Sequence, residues 1–217
     1  MVAVSLAVVA LMVGGYAMVR SNHVQVDAAT LCPVTGPAAV HAVLLDRSDP
    51  ITPLQAQRLR QVLNKAVDGA AIGERIDLYV LAGDGTQALS PVVSLCRPRS
   101  EGNALYENNA RMATTYRDRF RKPLDDALAA MMQPASSKTS PIMESVKAVC
   151  VAAFGGLPKE APASLTVASD MIQYSPLLDN YRNKDFDDFA LTPGFREVLS
   201  DCHRAADSAP RIQRRSG

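Results

Sequence analysis

The amino-acid sequence predicts an α/β domain of three layers, helices on both faces of a mixed sheet with one antiparallel hairpin strand, behind an N-terminal transmembrane helix. Three observations carry this. Residues 1–19 contain no charge. Apolar runs of strand length then alternate with amphipathic stretches at helical spacing. Two of those runs stop abruptly in acids and hydroxyls, VHAVLLDRSD over residues 40–49 and LTVASD over 165–170. At 217 residues the chain is long enough for one domain with a substantial core. Its formal net charge of +1 gives no basic field for nucleic acid. Tryptophan is absent, so an aliphatic core is expected.

A helix over residues 1–19 is about 28 Å long, close to a bilayer core. A secretory signal normally opens with Lys or Arg, and this segment does not. Residues 1–20 therefore read as a single-pass anchor. The one nearby cation, Arg20, leaves the side of the soluble part open. Residues 21–37 are polar, with Pro and Gly at their end, and read as a linker. The globular domain is expected over 38–207, with a flexible tail over 208–217.

Strand one covers residues 40–45. Its nearly continuous apolar character fits a central strand covered on both faces. Thr52-Pro53-Leu54-Gln55 then forms a capping box with Pro at the first helical position. Leu59, Val62, Leu63, Ala66, Val67 and Ala70 continue it at helical spacing. Residues 75–82 form strand two. Gly83-Asp84-Gly85 is a tight-turn signal, and residues 89–95 form strand three. So short a connection makes these two strands antiparallel.

Tyr116, Phe120, Leu124, Leu128 and Met131 follow at helical spacing, and Pro123 is expected to kink or split that helix. Ser140-Pro141 is expected to cap the next helix, whose buried stripe is Ile142, Val146, Val149 and Ala153. Gly155-Gly156 ends it. Residues 165–169 form strand four, running into Asp170. Beyond it the pattern weakens, with a short helix expected over 195–206.

Four widely spaced cysteines, Cys32, Cys96, Cys150 and Cys202, include no C-x-x-C pair, which argues against a zinc knuckle. They fit buried thiols or two disulfides, and mid-helix Cys150 is the poorest candidate for a bridge. His23, His41 and His203 have no ligand spacing.

The order of strand, acidic-hydroxyl loop, capped helix, hairpin, helical region, hydroxyl-led helix, strand and Asp resembles the von Willebrand factor A (vWA) domain, over roughly residues 40–175. The resemblance implies a Rossmann-like sheet and a metal-ion-dependent adhesion site (MIDAS). The family builds that site from D-x-S-x-S, a distant Thr and a distant Asp. The matching residues are Asp46 and Ser48, then Ser140 (or Thr139), then Asp170. Pro50 stands where the motif has its last Ser, and Met171 where Gly usually follows the last Asp. Mg²⁺, Ca²⁺ or Mn²⁺ takes hard oxygens of this kind. The resemblance implies that an open coordination position accepts an acidic side chain of a partner protein. Arg47, beside the acids, is expected to point to solvent.

Enzyme classes fit less well. A phosphohydrolase of the haloacid dehalogenase type has D-x-D after strand one, and Ser48 takes the second Asp position here. G-x-S-x-G, G-x-x-x-x-G-K-[ST] and G-x-G-x-x-G are absent. The expected function is a membrane-tethered binding module, not an enzyme. The alternative is a structural subunit of a membrane assembly with a vestigial metal site.

Overall fold

A computed structural model describes residues 12–15, 24–48, 50–81, 89–102, 108–133, 137–158, 160–182 and 186–198. Four strands form one sheet: β1 (Ala39–Leu45), β2 (Glu74–Val80), β3 (Val93–Cys96) and β4 (Ala163–Ala168). Their order is β3-β2-β1-β4. β1 runs parallel to β2 and to β4, while β2 and β3 are antiparallel. β1 is thus central, as its apolar run requires.

Side chains alternate across β1 into two cores. Val43 and Leu45 meet Ile76 and Leu78 under α1 (Pro53–Gly69) and the helical region ending at Met131. Val40, Ala42 and Leu44 meet Tyr79 under α4 (Ile142–Val149) and its extension. Leu44 is fully buried, a burial that contributes about 2 kcal/mol. These two cores make the three layers.

α1 begins as its sequence dictates. The Thr52 hydroxyl accepts from Gln55 N, and the Gln55 side chain accepts from Thr52 N. Leu59, Leu63 and Val67 form its buried stripe. Gly73 turns the chain into β2 at φ +81°, a left-handed conformation suited to glycine. The Gly83-Asp84-Gly85 turn lies outside the described residues, and β3 is shorter than the run over 89–95.

The α-helical run is divided just before Pro123, in line with the expected split. α2 (Asn109–Thr115) passes through a π-helical turn, Tyr116–Arg121, into α3 (Lys122–Met131). Lys122 N donates to Arg117 O, five residues back. The wider turn accommodates a ring that lacks a donor and would crowd the carbonyl four residues before it. Arg121 ties this turn to α1 through Asp68 and Asn64. A second π-helical turn, Cys150–Phe154, extends α4. After β4 come a 3₁₀ turn (Asn180–Arg182), α5 (Phe186–Ala190) and α6 (Pro193–Val198). Leu178, Phe189 and Val198 form a small separate core there.

Part of the stretch expected to be a linker is packed against the domain, around Leu31. Leu31 is buried in the core beneath α1. Cys96 N donates to Thr30 O, so this segment meets the free edge of β3 at its last residue. A Cys32–Cys96 disulfide fixes it there. Cys150 is disulfide-bonded as well, which corrects the reading of it as the cysteine least suited to a bridge. No free thiol occurs among the described residues. Short local spacing could not reveal a bridge closing across 64 residues.

Of the apolar N-terminal segment, residues 12–15 are described, as a helical turn. No helix among the described residues is long and apolar enough to cross a membrane. The rest of the expected anchor lies outside the described residues, as does the tail over 208–217.

Candidate functional site

The sheet order creates one position where the chain leaves β1 in opposite directions. β2 lies on one side and β4 on the other, so the loops after β1 and β4 diverge. In open α/β sheets the crevice at such a switch point, beyond the carboxyl ends of the strands, is where ligands bind. Asp46 is the first residue past β1, and Ser169 the first past β4. Leu45 pairs with Ala168, and Asp46 N donates to Ala168 O, so the ladder delivers Asp46 beside Ser169.

Asp46 is buried, at 8% exposure, and four hydrogen bonds converge on its carboxylate. Oδ1 accepts from Ser48 N at 2.9 Å and Ser48 Oγ at 2.7 Å. Oδ2 accepts from Ser140 Oγ at 2.8 Å and Ser169 Oγ at 2.9 Å. Three separate segments therefore bring hydroxyls to one acid. Each bond to an ionised carboxylate is of the stronger, charge-assisted kind.

The segments are also joined to each other. Ser140 and Tyr174 exchange backbone hydrogen bonds of 2.8 and 3.0 Å. Gln173, buried behind them, accepts from Met143 N at the start of α4 and donates to Glu144 and Ser175. Ser137 N reaches Ser48 O at 3.4 Å. Ser48, Lys138, Ser140, Ile172, Tyr174 and Tyr181 line a shallow depression at this place.

Of the four expected ligands, the structure joins Asp46, Ser48 and Ser140. Asp170 is not hydrogen-bonded to them. It is exposed, and its Oδ1 accepts from Ile172 N at 2.9 Å, closing a local turn. Ser169 takes the place at Asp46 that was expected of its neighbour. A strand's side chains alternate between faces, so a one-residue offset exchanges which of Ser169 and Asp170 faces the acid. The readable signal was that Ser169 directly follows the apolar run. Ser140 does not cap α4. Pro141 is the N-cap residue, with no side-chain cap bond, and the hydroxyl of Ser140 is spent on Asp46. Thr139 belongs to the same loop but is absent from Asp46's hydrogen bonds.

Arg47 forms no ion pair with Asp46, and its Nε is buried without a hydrogen-bond partner. Among the described residues no three His, Cys, Asp or Glu side chains gather as a metal-holding group. The set at Asp46 is instead one carboxylate and three hydroxyls. Its oxygen separations of 2.7–2.9 Å are ordinary O–H···O hydrogen-bond lengths. Carboxylate and hydroxyl oxygens are hard ligands of the kind Mg²⁺, Mn²⁺ and Ca²⁺ take, and hydroxyl hydrogens can rotate to point away from such an ion. The serines face a carboxylate, not the imidazole or amine that usually activates a hydroxyl nucleophile.

The described histidine lies elsewhere. His41, on β1, is held between Ser164 Oγ at 2.9 Å from Nδ1 and Thr166 Oγ1 at 3.1 Å from Nε2. Burial pushes its pKa below the ordinary value, against a smaller opposing effect of Glu74. Both ring nitrogens are satisfied, as expected of a half-buried structural imidazole.

Compared with known protein families and curated proteins, the chain matches no family model and no curated sequence.

Proposed function

We propose that this chain is a membrane-tethered, vWA-like protein-binding module. Asp46, Ser48, Ser140 and Ser169 hold a divalent cation, Mg²⁺ or else Ca²⁺ or Mn²⁺, with Asp170 next in sequence to Ser169. The carrying observation is the convergence of three hydroxyl-bearing segments on Asp46 at the switch point between β1 and β4. When bound, the cation offers a positive, incompletely filled coordination sphere that attracts a carboxylate oxygen of a partner protein. Ser48, Ser140 and Ser169 orient the acid, and Lys138 at the rim adds a positive charge.

Two further observations support the resemblance. Met171, where the family usually has Gly, has φ +65°, a left-handed conformation that favours glycine. Ser169 supplies a third hydroxyl, which Pro50 cannot. Residues 1–20 provide the tether. The disulfides at Cys32, Cys96 and Cys150 favour an oxidising compartment for the domain.

A second reading is a structural subunit of a membrane assembly with a closed, vestigial site. It is favoured by the four donors on Asp46, which occupy about all the acceptor positions of a carboxylate. Thermal melts of the full chain in detergent, with Mg²⁺, Mn²⁺ or chelator, separate the two. On the first reading, a cation at about 100 times its dissociation constant adds about 2.7 kcal/mol and raises Tm by about 5–10 °C. Asp46→Asn abolishes that rise. On the second, Asp46→Asn lowers Tm and no cation changes it in either protein.

A further inference from the structure

The two edges of the sheet are finished differently. At β3, Cys96 N is paired with Thr30 O, and that segment is fixed by the Cys32–Cys96 disulfide. At β4 nothing of the kind occurs among the described residues. Val40 N donates to Pro162 O and Asp46 N to Ala168 O, so the even-numbered residues of this strand direct their backbone groups to β1. Ala163, Leu165 and Val167 therefore direct three N–H and three C=O groups outward, where β4 has no neighbouring strand among the described residues. Natural edge strands are commonly blunted by Lys, Pro or a bulge. The sequence ASLTVA contains no charge and no proline. Pro162, just before it, faces β1 and removes no donor from the outer edge.

We infer that β4 is a dimerisation edge, occupied by β4 of a second copy of this chain, antiparallel about a twofold axis at Leu165. That pairing sets Leu165 against Leu165 and Ala163 against Val167. These are the positions whose outward groups exchange both hydrogen bonds in an antiparallel ladder. All three donors and all three acceptors of each copy are satisfied, and none is left over. Ser164 then faces Thr166 of the partner, a hydroxyl pair of the kind that stabilises neighbouring strands. An uncharged strand meets its own copy without repulsion, and such a self-complementary contact closes at two subunits. Two four-stranded sheets become one continuous eight-stranded sheet. The chain's own residues after Val198 are a poor occupant, because their sequence is polar and arginine-rich with no alternating apolar pattern.

The test is sedimentation of the full chain in density-matched detergent over a concentration series, with two charge variants. S164K/T166K and S164E/T166E each place like charges opposite one another in the proposed register. The wild type is expected to be a dimer that dissociates on dilution, each variant alone a monomer, and their equimolar mixture a dimer. A wild type that stays monomeric overturns the proposal, and so does either variant dimerising alone. Amide exchange in the wild-type protein guards against variants that fail to fold. The Ala163, Leu165 and Val167 amides are expected to be protected at high concentration and to lose protection on dilution. If they exchange freely at every concentration while those of Ser164 and Thr166 stay protected, the edge is unoccupied and the inference fails.

Discussion

Removing the Asp46 carboxylate leaves one amide and three hydroxyls without their common acceptor. Asp46→Ala is expected to cost about 1–3 kcal/mol in urea unfolding without cation, the range for stranding buried donors. Relief of repulsion between clustered acids does not offset this, because Asp46 meets hydroxyls and Asp170 closes its own turn. His41 gives the second prediction at this scale. Its pKa in the folded protein lies below the ordinary 6.5 because burial disfavours the charged ring. The stability this represents is complete above pH 6.5 and is lost as pH falls from 6.5 through the folded-state value. Unfolding free energy should therefore drop between pH 7.5 and pH 5 (about one unit or more on either side of the transition), and H41Q should drop less. An equal drop in both proteins would assign the effect to other groups.

Between elements, the decisive contacts are those that pin the ends of β2 and α4. Asp77 on β2 is almost wholly buried, and its partner Arg75 keeps 22% of its side chain exposed. Arg75 also donates to Ala153 O in the π-helical extension of α4, and Ser94 of β3 donates to Asp77. One acid thus joins three elements. Asp77→Ala is expected to cost about 3 kcal/mol, measured by denaturant titration, because it leaves the guanidinium without its counter-charge in the same core. The paired change R75M/D77L should cost much less, since apolar replacement of both partners avoids that imbalance. The sequence made the elements themselves readable. The capping box at Thr52 and the apolar run of β1 act within a few residues, and each formed where its pattern stands. A break near Pro123 was readable, but not that it takes the form of a π-turn ahead of the proline. Ser140 was misread. A serine before Pro-Ile at a helix start fits a cap, and only the position of Asp46 across the loop directs its hydroxyl elsewhere.

Over the whole molecule, the disulfide joins the N-terminal segment to the far edge of the sheet. Replacing Cys32 and Cys96 by Ser is expected to lower stability by about 2–4 kcal/mol. Amide exchange at position 96, whose N–H donates to Thr30 O, should accelerate together with it. Unchanged exchange there would mean that packing of Leu31 alone holds the segment. Topology explains which part of the site could be read from the chain. Asp46, Ser48 and Ser140 were recognisable because they stand in local motifs. Ser169 required knowing that β4 lies beside β1 in the register that pairs Leu45 with Ala168. Registers of parallel strands far apart in sequence are set by the packed sheet and leave no short-range signature.

The proposed function depends on whether the oxygens gathered at Asp46 take a cation. Titration of the full chain with Mn²⁺, followed by the loss of the free-ion electron paramagnetic resonance signal, measures this directly. The account predicts one saturable site that Mg²⁺ competes away, that D46N abolishes and that S169A weakens. Binding that persists undiminished in D46N, or no binding at millimolar Mn²⁺ (about 10⁻³ M, where weak sites of this class fill), would contradict it.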